Sequence, residues 1–427
     1  MNVTENLAFE NNMRSRYDGI GVTWVFFVFI YAYAGRLLFV WFAPDLIYWT
    51  VPEVAWPAFD DPDIKIDTLE LLLMVVAGFC FSLILLRLLA SMSLSINVRS
   101  SVVPPIVEQR TIVALLLISV ALATLLNSMA YIYSIGRQGQ FSEESLPFKL
   151  AGVVGYSKTA VVPALLLLQI YWAEASGRRW LARTGALVLV ALGFVDMFML
   201  DSRGAALKHV LLLALVWWLA GFRLRPVDGK VLLALGGVLL LAIQMVTSTR
   251  LYGEQAVELS IDHLLQGLNF VLLRITGVEQ LMVIQYLGAP IPLEEVWDVL
   301  TSPRGIPGYY TTALLGVEEN LPQTFAPSGL GWLYLVGGLP GMMIGAAVIG
   351  FAATTLWRSL EGTFSGFSSV IKSFYLYTLL AVVTEGSMEA PFISFLIVAV
   401  TLKMIGLARS MLDVKSTKPI RAPESSL

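Results

Sequence analysis

Residues 110–133 read RTIVALLLISVALATLLNSMAYIY, a run whose only charged residue is Arg110 at its start. A helix needs about 20 mostly apolar residues to cross the hydrocarbon core of a bilayer. This stretch is long enough to cross the bilayer and has no charged residue in its interior. It therefore predicts a membrane-spanning helix.

Nine further runs of the same kind are spread along the chain, which predicts an all-α, polytopic helical bundle with about ten transmembrane helices. The first run follows a polar N-terminus and lacks a small-residue cleavage site, so it is expected to remain as a signal-anchor helix. The ten runs lie near 21–43, 68–90, 110–133, 150–172, 181–200, 205–221, 229–247, 329–356, 368–385 and 391–409.

The composition of the 427 residues supports a membrane protein and excludes several other classes. Hydrophobic residues make up 57% and charged residues 14% of the chain, and the mean hydropathy is +0.75. Soluble domains average about 45–50% apolar and about 25% charged residues. A net charge of −3 argues against a nucleic-acid partner, and the single cysteine, Cys80, cannot form a disulfide within one chain. With two histidines in the chain, neither a metal site nor a cofactor is expected.

The distribution of basic residues predicts the topology. If the N-terminus lies inside, most of the 28 lysines and arginines fall on inner segments, and an even number of spans places the C-terminus inside as well. The predicted organisation is spans one to seven in 1–247, an outer loop in 248–328, spans eight to ten in 329–409 and a basic inner tail, expected to be disordered, in 410–427.

The outer loop carries structure of its own. Apolar residues recur at helical spacing from Ile261 to Leu287, which predicts a helix of about 25 residues that packs on the bilayer or dips into it as a re-entrant span. The Pro- and Gly-rich stretch from Pro290 to Pro327 cannot be one regular element. Loops of this length are usually functional or disordered, and the aromatic content favours function.

One candidate anion site lies where the fifth span ends and the sixth begins. Residues 194–209 read FVDMFMLDSRGAALKH, so Arg203 is followed by Gly204 and two alanines, and Lys208 comes one to two turns later. Charges at membrane depth are costly and are candidates for function. The alternative is that Asp201 caps the new helix while Arg203 and Lys208 bind lipid headgroups.

Two further arginines of the outer loop belong to the same hypothesis. Arg274 lies within the predicted loop helix, in Leu-Leu-Arg-Ile-Thr-Gly277, and an ion pair with Glu279 five residues later is the alternative to a ligand site. Arg250 lies just beyond a span and can also anchor to headgroups. Because the guanidinium fork suits phosphate oxygens, several arginines on one membrane face predict a multiply charged anion, and a lipid-linked pyrophosphate is the leading candidate.

The remaining candidates are less specific. Arg304, Tyr309 and Tyr310 lie close together in the outer loop, and the two tyrosine rings are expected to stack on sugars. Arg36 in the first span either snorkels outward or contributes to the site. A general base is harder to place: His263 has a suitable unperturbed pKa, and the acidic alternatives are Glu254, Asp262 and Glu279.

These features resemble the Wzy-type O-antigen and exopolysaccharide repeat-unit polymerases, which are related to the O-antigen ligases. The resemblance is carried by the Asp-Ser-Arg-Gly204 break between two spans, the long outer loop with Arg-Ile-Thr-Gly277, and the small-residue entry into the next span, PSGLGWLYLVGGLPGMMIG at 327–345. It covers about residues 190–350.

The resemblance implies a metal-independent glycosyltransferase of the GT-C type in the bacterial inner membrane, with its active site facing the periplasm. It would transfer a growing glycan from undecaprenyl pyrophosphate to a new undecaprenyl pyrophosphate-linked repeat unit, with membrane lipids around it and a chain-length regulator as a further candidate partner. Arg203 and Arg274 would be the family's outer-face arginines, and Arg250 is matched less closely. The related ligases use a loop histidine, for which His263 is the candidate here.

Two other functions remain open. An O-antigen ligase performs the same chemistry with lipid A core as acceptor, and the sequence hardly separates it from a polymerase. A lipid-linked oligosaccharide flippase or transporter belongs to a different class. Transporters tend to place ionisable residues and broken helices near the midplane, whereas the cations here gather at one face, which favours chemistry at that face.

Overall fold

The computed structural model describes residues 20–44, 53–92, 107–133, 135, 150–199, 203–222, 236–242, 277–288, 290–302, 305–317, 326–360, 365–385 and 389–416, with single residues between 230 and 245. At several helix ends, including Arg203, only the backbone is described. Within these ranges the regular structure is helical.

The helices are, in order, α1 Ile20–Phe29, α2 Arg36–Phe42, α3 Pro57–Asp60, α4 Pro62–Met92, α5 Gln109–Ile132, α6 Leu150–Tyr156, α7 Val162–Ala175, α8 Arg179–Met199, α9 Arg203–Leu219, α10 Val278–Leu287, α11 Leu293–Thr301, α12 Gly305–Tyr309, α13 Gly329–Ser359, α14 Ser365–Glu385 and α15 Glu389–Ser416. Three π-helical segments, Ile30–Gly35, Ser157–Val161 and Tyr310–Leu314, lie between them.

Among the described residues, seven helical stretches are long and apolar enough to cross a membrane, which confirms a helical membrane protein. Two shorter apolar helices, Gly204–Leu219 and Pro391–Gly406, coincide with predicted spans. About half of the predicted span 229–247 lies outside the described residues, so the total of ten remains a prediction. The seven are Thr23–Phe42, Pro62–Leu85, Gln109–Ile132, Leu150–Ala175, Arg179–Met199, Gly329–Trp357 and Gly366–Thr384.

Helix α5 shows why these segments need a bilayer. One face is buried against other helices at spacings of three and four residues, through Ile112, Leu116, Ser119, Ala123, Leu126 and Ala130. The other faces are equally apolar yet exposed: Leu117 is 63% and Leu125 57% exposed. A helix that is apolar all round, with only one face covered by protein, belongs in lipid.

Helix α7 forms the centre of the bundle. Every residue from Val162 to Ala173 is buried, and the helix is packed by α5, α8, α9 and α14. A second layer is formed by α4 and α13, while α14 also contacts α1, α9 and α15. Helix α14 therefore connects the first span with the α8–α9 hairpin.

The predicted span 329–356 is not one straight helix, because Gly338 has a left-handed backbone with φ +60° and interrupts α13. A Cβ built on Gly345 would lie 2.5 Å from the side chain of Leu333, and one built on Gly341 would lie 2.9 Å from the Leu333 carbonyl oxygen. In a straight helix, residues 333 and 345 would be about 18 Å apart along the axis. The part before Gly338 therefore folds back against the part after it.

A single predicted helix from Ile261 to Leu287 is also wrong, because α10 begins only at Val278 and Gly277 before it has a non-helical backbone. Residues 261–276 lie outside the described residues. All residues from Val278 to Ile284 are buried, and Gly277 lies against Ala32 near the middle of the first span. Helix α10 is thus inserted into the bundle, as a re-entrant element would be.

Of two further predictions, one agrees with the structure and one does not. Pro290–Pro327 is divided into α11, α12 and a π-helical segment in its described part, as its composition predicts. The C-terminal boundary at 409 is too early, because α15 continues to Ser416.

Candidate functional site

Four acidic or basic side chains and one histidine are buried in the described part of the chain: Arg36, Lys158, Asp196, Glu279 and His209. Arg36, Lys158 and Asp196 belong to membrane-spanning helices, His209 belongs to the shorter apolar helix α9, and Glu279 belongs to the inserted helix α10. They lie in the half of the bundle where α2, α8 and α14 end and α9 begins, here called the charged half. Buried ionisable groups in a membrane protein are costly and indicate function.

Arg36 and Glu279 form an ion pair between the first span and α10. The Arg36 Nε donates a hydrogen bond to Glu279 Oε1, and its Nη2 contacts the same oxygen. The side chains are 2% and 0% exposed, so Arg36 does not snorkel towards the membrane surface. Glu279 therefore pairs with the first span, and its position within the bundle makes it an anchor for α10 rather than an open general base.

Gly277 completes this junction. Its amide donates to the second Glu279 oxygen, Oε2, over 3.2 Å. A Cβ at this position would lie 2.5 Å from the Ala32 carbonyl oxygen, a contact too short to tolerate. The glycine of Arg-Ile-Thr-Gly277 is therefore required by close packing against the first span.

Replacing Gly277 with alanine is expected to destabilise the protein by about 1–3 kcal/mol, because the added methyl group overpacks a backbone contact. The thermal unfolding midpoint in detergent measures this. Gly155→Ala is the matched control, since a Cβ there has no neighbour within 4 Å and alanine favours a helix. Equal midpoints for the two variants would show that the Gly277 contact is not close.

Tyr33 links this junction to α13 and α14. Its hydroxyl donates to the Val383 carbonyl over 2.7 Å and accepts from the Leu330 amide over 3.1 Å. The side chain is fully buried and belongs to the π-helical segment that directly precedes Arg36. The Arg36–Glu279 pair is thus one helical turn from the point where three helices meet.

An apolar groove starts at the same point. It lies between α1, α4, α13 and α14. Leu330 and Val383, the two hydrogen-bond partners of Tyr33, contribute to its wall. Its lining is entirely apolar or glycine: Val25, Phe26, Phe29, Val75, Val76, Phe79, Gly329, Leu330, Ala346, Ile349 and Val383.

A second buried cluster joins three other spans. Lys158 Nζ lies 3.0 Å from Asp196 Oδ1, and His209 Nε2 lies 3.8 Å from Asp196 Oδ2. Lys158 belongs to a π-helical segment, and such segments are frequent at functional sites. Asp196 and His209 lie in the stretch 194–209 that the sequence singled out, but their association with Lys158 was not predicted. A lysine and an aspartate inside apolar runs are the signal that could have found it.

The predicted tyrosines occupy different environments. Tyr310 is fully buried, and its hydroxyl donates to Gln280 Oε1 over 2.5 Å. Burial, with a smaller contribution from the Glu279 charge, raises the pKa of the Tyr310 phenol, which stays protonated. Because its ring is covered by protein, Tyr310 supports α10 from within and does not stack on a sugar. Tyr309 is half-buried.

At the predicted break between spans, α9 begins at Arg203, but the Arg203 side chain is not described. Lys208 is half-buried, and its ammonium lies 5.3 Å from the centre of the Tyr377 ring of α14. This cation–π contact places Lys208 between α9 and α14. The predicted site residues Arg250, Glu254, His263, Arg274 and Arg304 lie outside the described residues, as do Asp201 and Asp262.

Within the described ranges no three His, Cys, Asp or Glu side chains converge as metal ligands would. What the arrangement offers is a set of buried charges beside an apolar groove. Comparisons with known proteins add no assignment: no protein-family model matches the chain, and no match was found among curated proteins or solved structures.

Proposed function

We propose that this protein is a membrane glycosyltransferase that polymerises undecaprenyl pyrophosphate-linked oligosaccharide repeat units into O-antigen or exopolysaccharide. In this proposal it is a GT-C-type enzyme of the bacterial inner membrane, with both termini in the cytoplasm and the charged half facing the periplasm. The anomeric carbon of the donor glycan exchanges its bond to the lipid pyrophosphate for a bond to an acceptor hydroxyl. The pyrophosphate leaves with the bonding electrons, and the proton of the acceptor hydroxyl passes to a general base, for which His263 is the candidate, or to the departing pyrophosphate.

The observation that carries the proposal is that an all-apolar groove meets the buried Arg36–Glu279 junction at Tyr33. A lipid-linked pyrophosphate has the same two parts, an isoprenoid chain and a charged headgroup. An apolar groove between spans suits the chain, and the outer arginines Arg203 and Arg274, proposed to lie at its end, would suit the headgroup. The geometry therefore supports a lipid-linked anion better than a water-soluble substrate.

In this proposal the Arg36–Glu279 pair positions the arginine-containing loop. Glu279 binds both Arg36 and the Gly277 amide, and Arg274 precedes Gly277 by three residues. Docking of α10 against the first span thus fixes the chain at Gly277, three residues after Arg274 in the sequence. Arg203, at the start of α9, and Arg274 would stabilise the negative charge that develops on the leaving pyrophosphate.

Deleting the gene tests the polymerase assignment in cells. A polymerase is expected to leave single repeat units attached to the cell surface, because assembly and attachment of one unit do not need it. A glycan gel measures the chain length. A ligase would lose both long chains and single units from lipid A core, and either that pattern or unchanged chain lengths would contradict the polymerase proposal.

Filling the groove is expected to impair use of the lipid chain. Ala346 is buried in the groove wall, so Ala346→Phe should weaken turnover of a long-chain undecaprenyl donor about tenfold or more, equivalent to about 1.4 kcal/mol, and spare a short-chain donor. Turnover by the purified protein measures both. Ile344→Phe is the matched control, because Ile344 is 65% exposed on the same helix; equal losses in both variants, or for both donors, would refute the assignment of the groove.

A flippase of lipid-linked oligosaccharide is the second candidate, and one observation favours it. The π-helical segment of the first span directly precedes the buried Arg36, that of the fourth span contains the buried Lys158, and α13 is broken at Gly338. Broken helices and ionisable groups within spans are found in many transporters. Fluorescently labelled lipid-linked repeat units in proteoliposomes separate the two functions. Crossing of the bilayer without chain extension would identify a flippase.

A further inference from the structure

We infer that Lys158, Asp196 and His209 form a buried proton-binding site, in which His209 Nε2 holds the proton and Asp196 is its counter-ion. The inference rests on no part of the proposed glycosyl transfer. The three residues come from three spans, and each is at most 4% exposed. Such groups are rare within spans, and those found there commonly bind or relay protons.

The hydrogen bonding of His209 leaves one ring nitrogen to take the proton. Its Nδ1 lies 2.8 Å from the Ala205 carbonyl oxygen. A carbonyl can only accept, so Nδ1 carries a hydrogen in the neutral ring, and Nε2 carries the lone pair. Nε2 is buried, has no hydrogen-bond partner and lies 3.8 Å from Asp196 Oδ2.

Asp196 is shared between two cationic groups. Its Oδ1 is 3.0 Å from the Lys158 ammonium, and its Oδ2 faces His209. With neutral His209, the Lys158 and Asp196 charges cancel, and the Nε2 lone pair faces a carboxylate. Protonation of Nε2 replaces that unfavourable approach with an ion pair and gives the cluster a net positive charge. The cluster therefore has two distinct charge states.

Within the described residues, the charged groups close to His209 come from three elements. Its own helix provides Lys208, whose ammonium lies over the Tyr377 ring of α14. Helix α8 provides Asp196, and the π-helical segment before α7 provides Lys158. The helical residues 236–242, which also pack here, are glycine or apolar.

Packing between α8 and α9 holds Asp196 against His209. A Cβ on Gly193 would lie 3.1 Å from the His209 Cβ and 3.2 Å from the Ala206 Cα. Because Gly193 has no side chain, α8 and α9 can pack closely one turn before Asp196. This packing fixes the position of Asp196 relative to His209.

The experiment is a ¹⁵N NMR titration of the full-length protein, labelled only at histidine, in lipid bilayers. The chain has two histidines, so in the His263→Gln variant only the His209 signals remain. In the His209→Gln variant these signals disappear, which confirms their assignment. We expect the Nδ1–H neutral form at about pH 9 and a growing fraction of the doubly protonated ring as the pH is lowered towards about 4. A His209 ring that keeps one protonation state across this range would overturn the inference.

Two variants test the counter-ion. Asp196→Asn is expected to reduce the doubly protonated fraction at about pH 5, because the neutral amide no longer stabilises the imidazolium, and Lys158→Met is expected to increase it by removing a competing cation. The doubly protonated fraction of His209 is thus expected to fall in one variant and rise in the other. General misfolding would change this fraction in the same direction in both variants, so it can be distinguished from the expected result. Titration that is unchanged in both variants would refute Asp196 as counter-ion. No substrate is involved, so failure here is separate from failure of the proposed function.

Discussion

Replacing Arg36 with methionine is expected to destabilise the protein by about 3–5 kcal/mol, because it leaves the buried Glu279 carboxylate without its cation. Both side chains are nearly inaccessible, at 2% and 0% exposed. Water therefore cannot replace the missing partner. The thermal unfolding midpoint in detergent, or unfolding in denaturant where it is reversible, measures the loss.

The double variant Arg36→Met/Glu279→Leu provides the control. Apolar replacement of a whole buried pair is often neutral or stabilising, so the double variant is expected to unfold close to the wild type although each single variant unfolds earlier. Chain extension should return with stability, because the pair acts by docking α10. A stable but inactive double variant would contradict the docking role and place Arg36 in contact with substrate.

Replacing Arg203 or Arg274 with alanine is expected to abolish long glycan chains while single repeat units remain attached. Removing one preorganised donor that stabilises developing charge typically costs about 10²–10³ in rate. A deficit of this size in each step prevents the formation of a long polymer. A glycan gel of cells that express each variant at the wild-type level measures the chain length.

Arg110→Ala is the matched control for both arginine variants. Arg110 is exposed and stands at the start of α5, which the predicted topology places on the opposite face of the membrane. Its loss is expected to leave chain length unchanged. Wild-type chain lengths in both Arg203→Ala and Arg274→Ala would show that these arginines do not form the site.

The spans were predictable from the sequence because hydropathy over about 20 residues depends only on local composition. The start of α9 was predictable as well, since Asp-Ser-Arg-Gly204 interrupts an apolar run. The break at Gly338 was missed. Apolar residues continue on both sides of it, although Gly337, Gly338 and Pro340 are helix-breaking residues within the run. The backbone and the contact between Leu333 and Gly345 reveal it.

The Arg36–Glu279 pair could not be predicted, because the two residues are 243 positions apart and nothing local relates them. The sequence left Arg36 either snorkelling outward or contributing to the site, and it offered Glu279 as a general base or as an ion-pair partner of Arg274. The apolar periodicity from Ile261 to Leu287 also concealed the break at Gly277, since a glycine there is compatible with both a helix and a close backbone contact.

The contact between Lys158, Asp196 and His209 was not predicted, for a different reason. Lys158 and Asp196 lie near the ends of apolar runs, where charges usually mark the membrane boundary. Whether such residues face headgroups or each other depends on helix rotation and on π-helical insertion at Ser157–Val161. Neither follows from hydropathy.

Reconstitution of the purified protein tests the central claim most directly. The protein in liposomes is given a synthetic undecaprenyl pyrophosphate-linked repeat unit and no other enzyme, and the glycan products are separated by size. A ladder of products spaced by one repeat unit, with release of undecaprenyl pyrophosphate, is the predicted result. Unextended repeat units in the presence of folded protein and substrate would contradict the proposed polymerase.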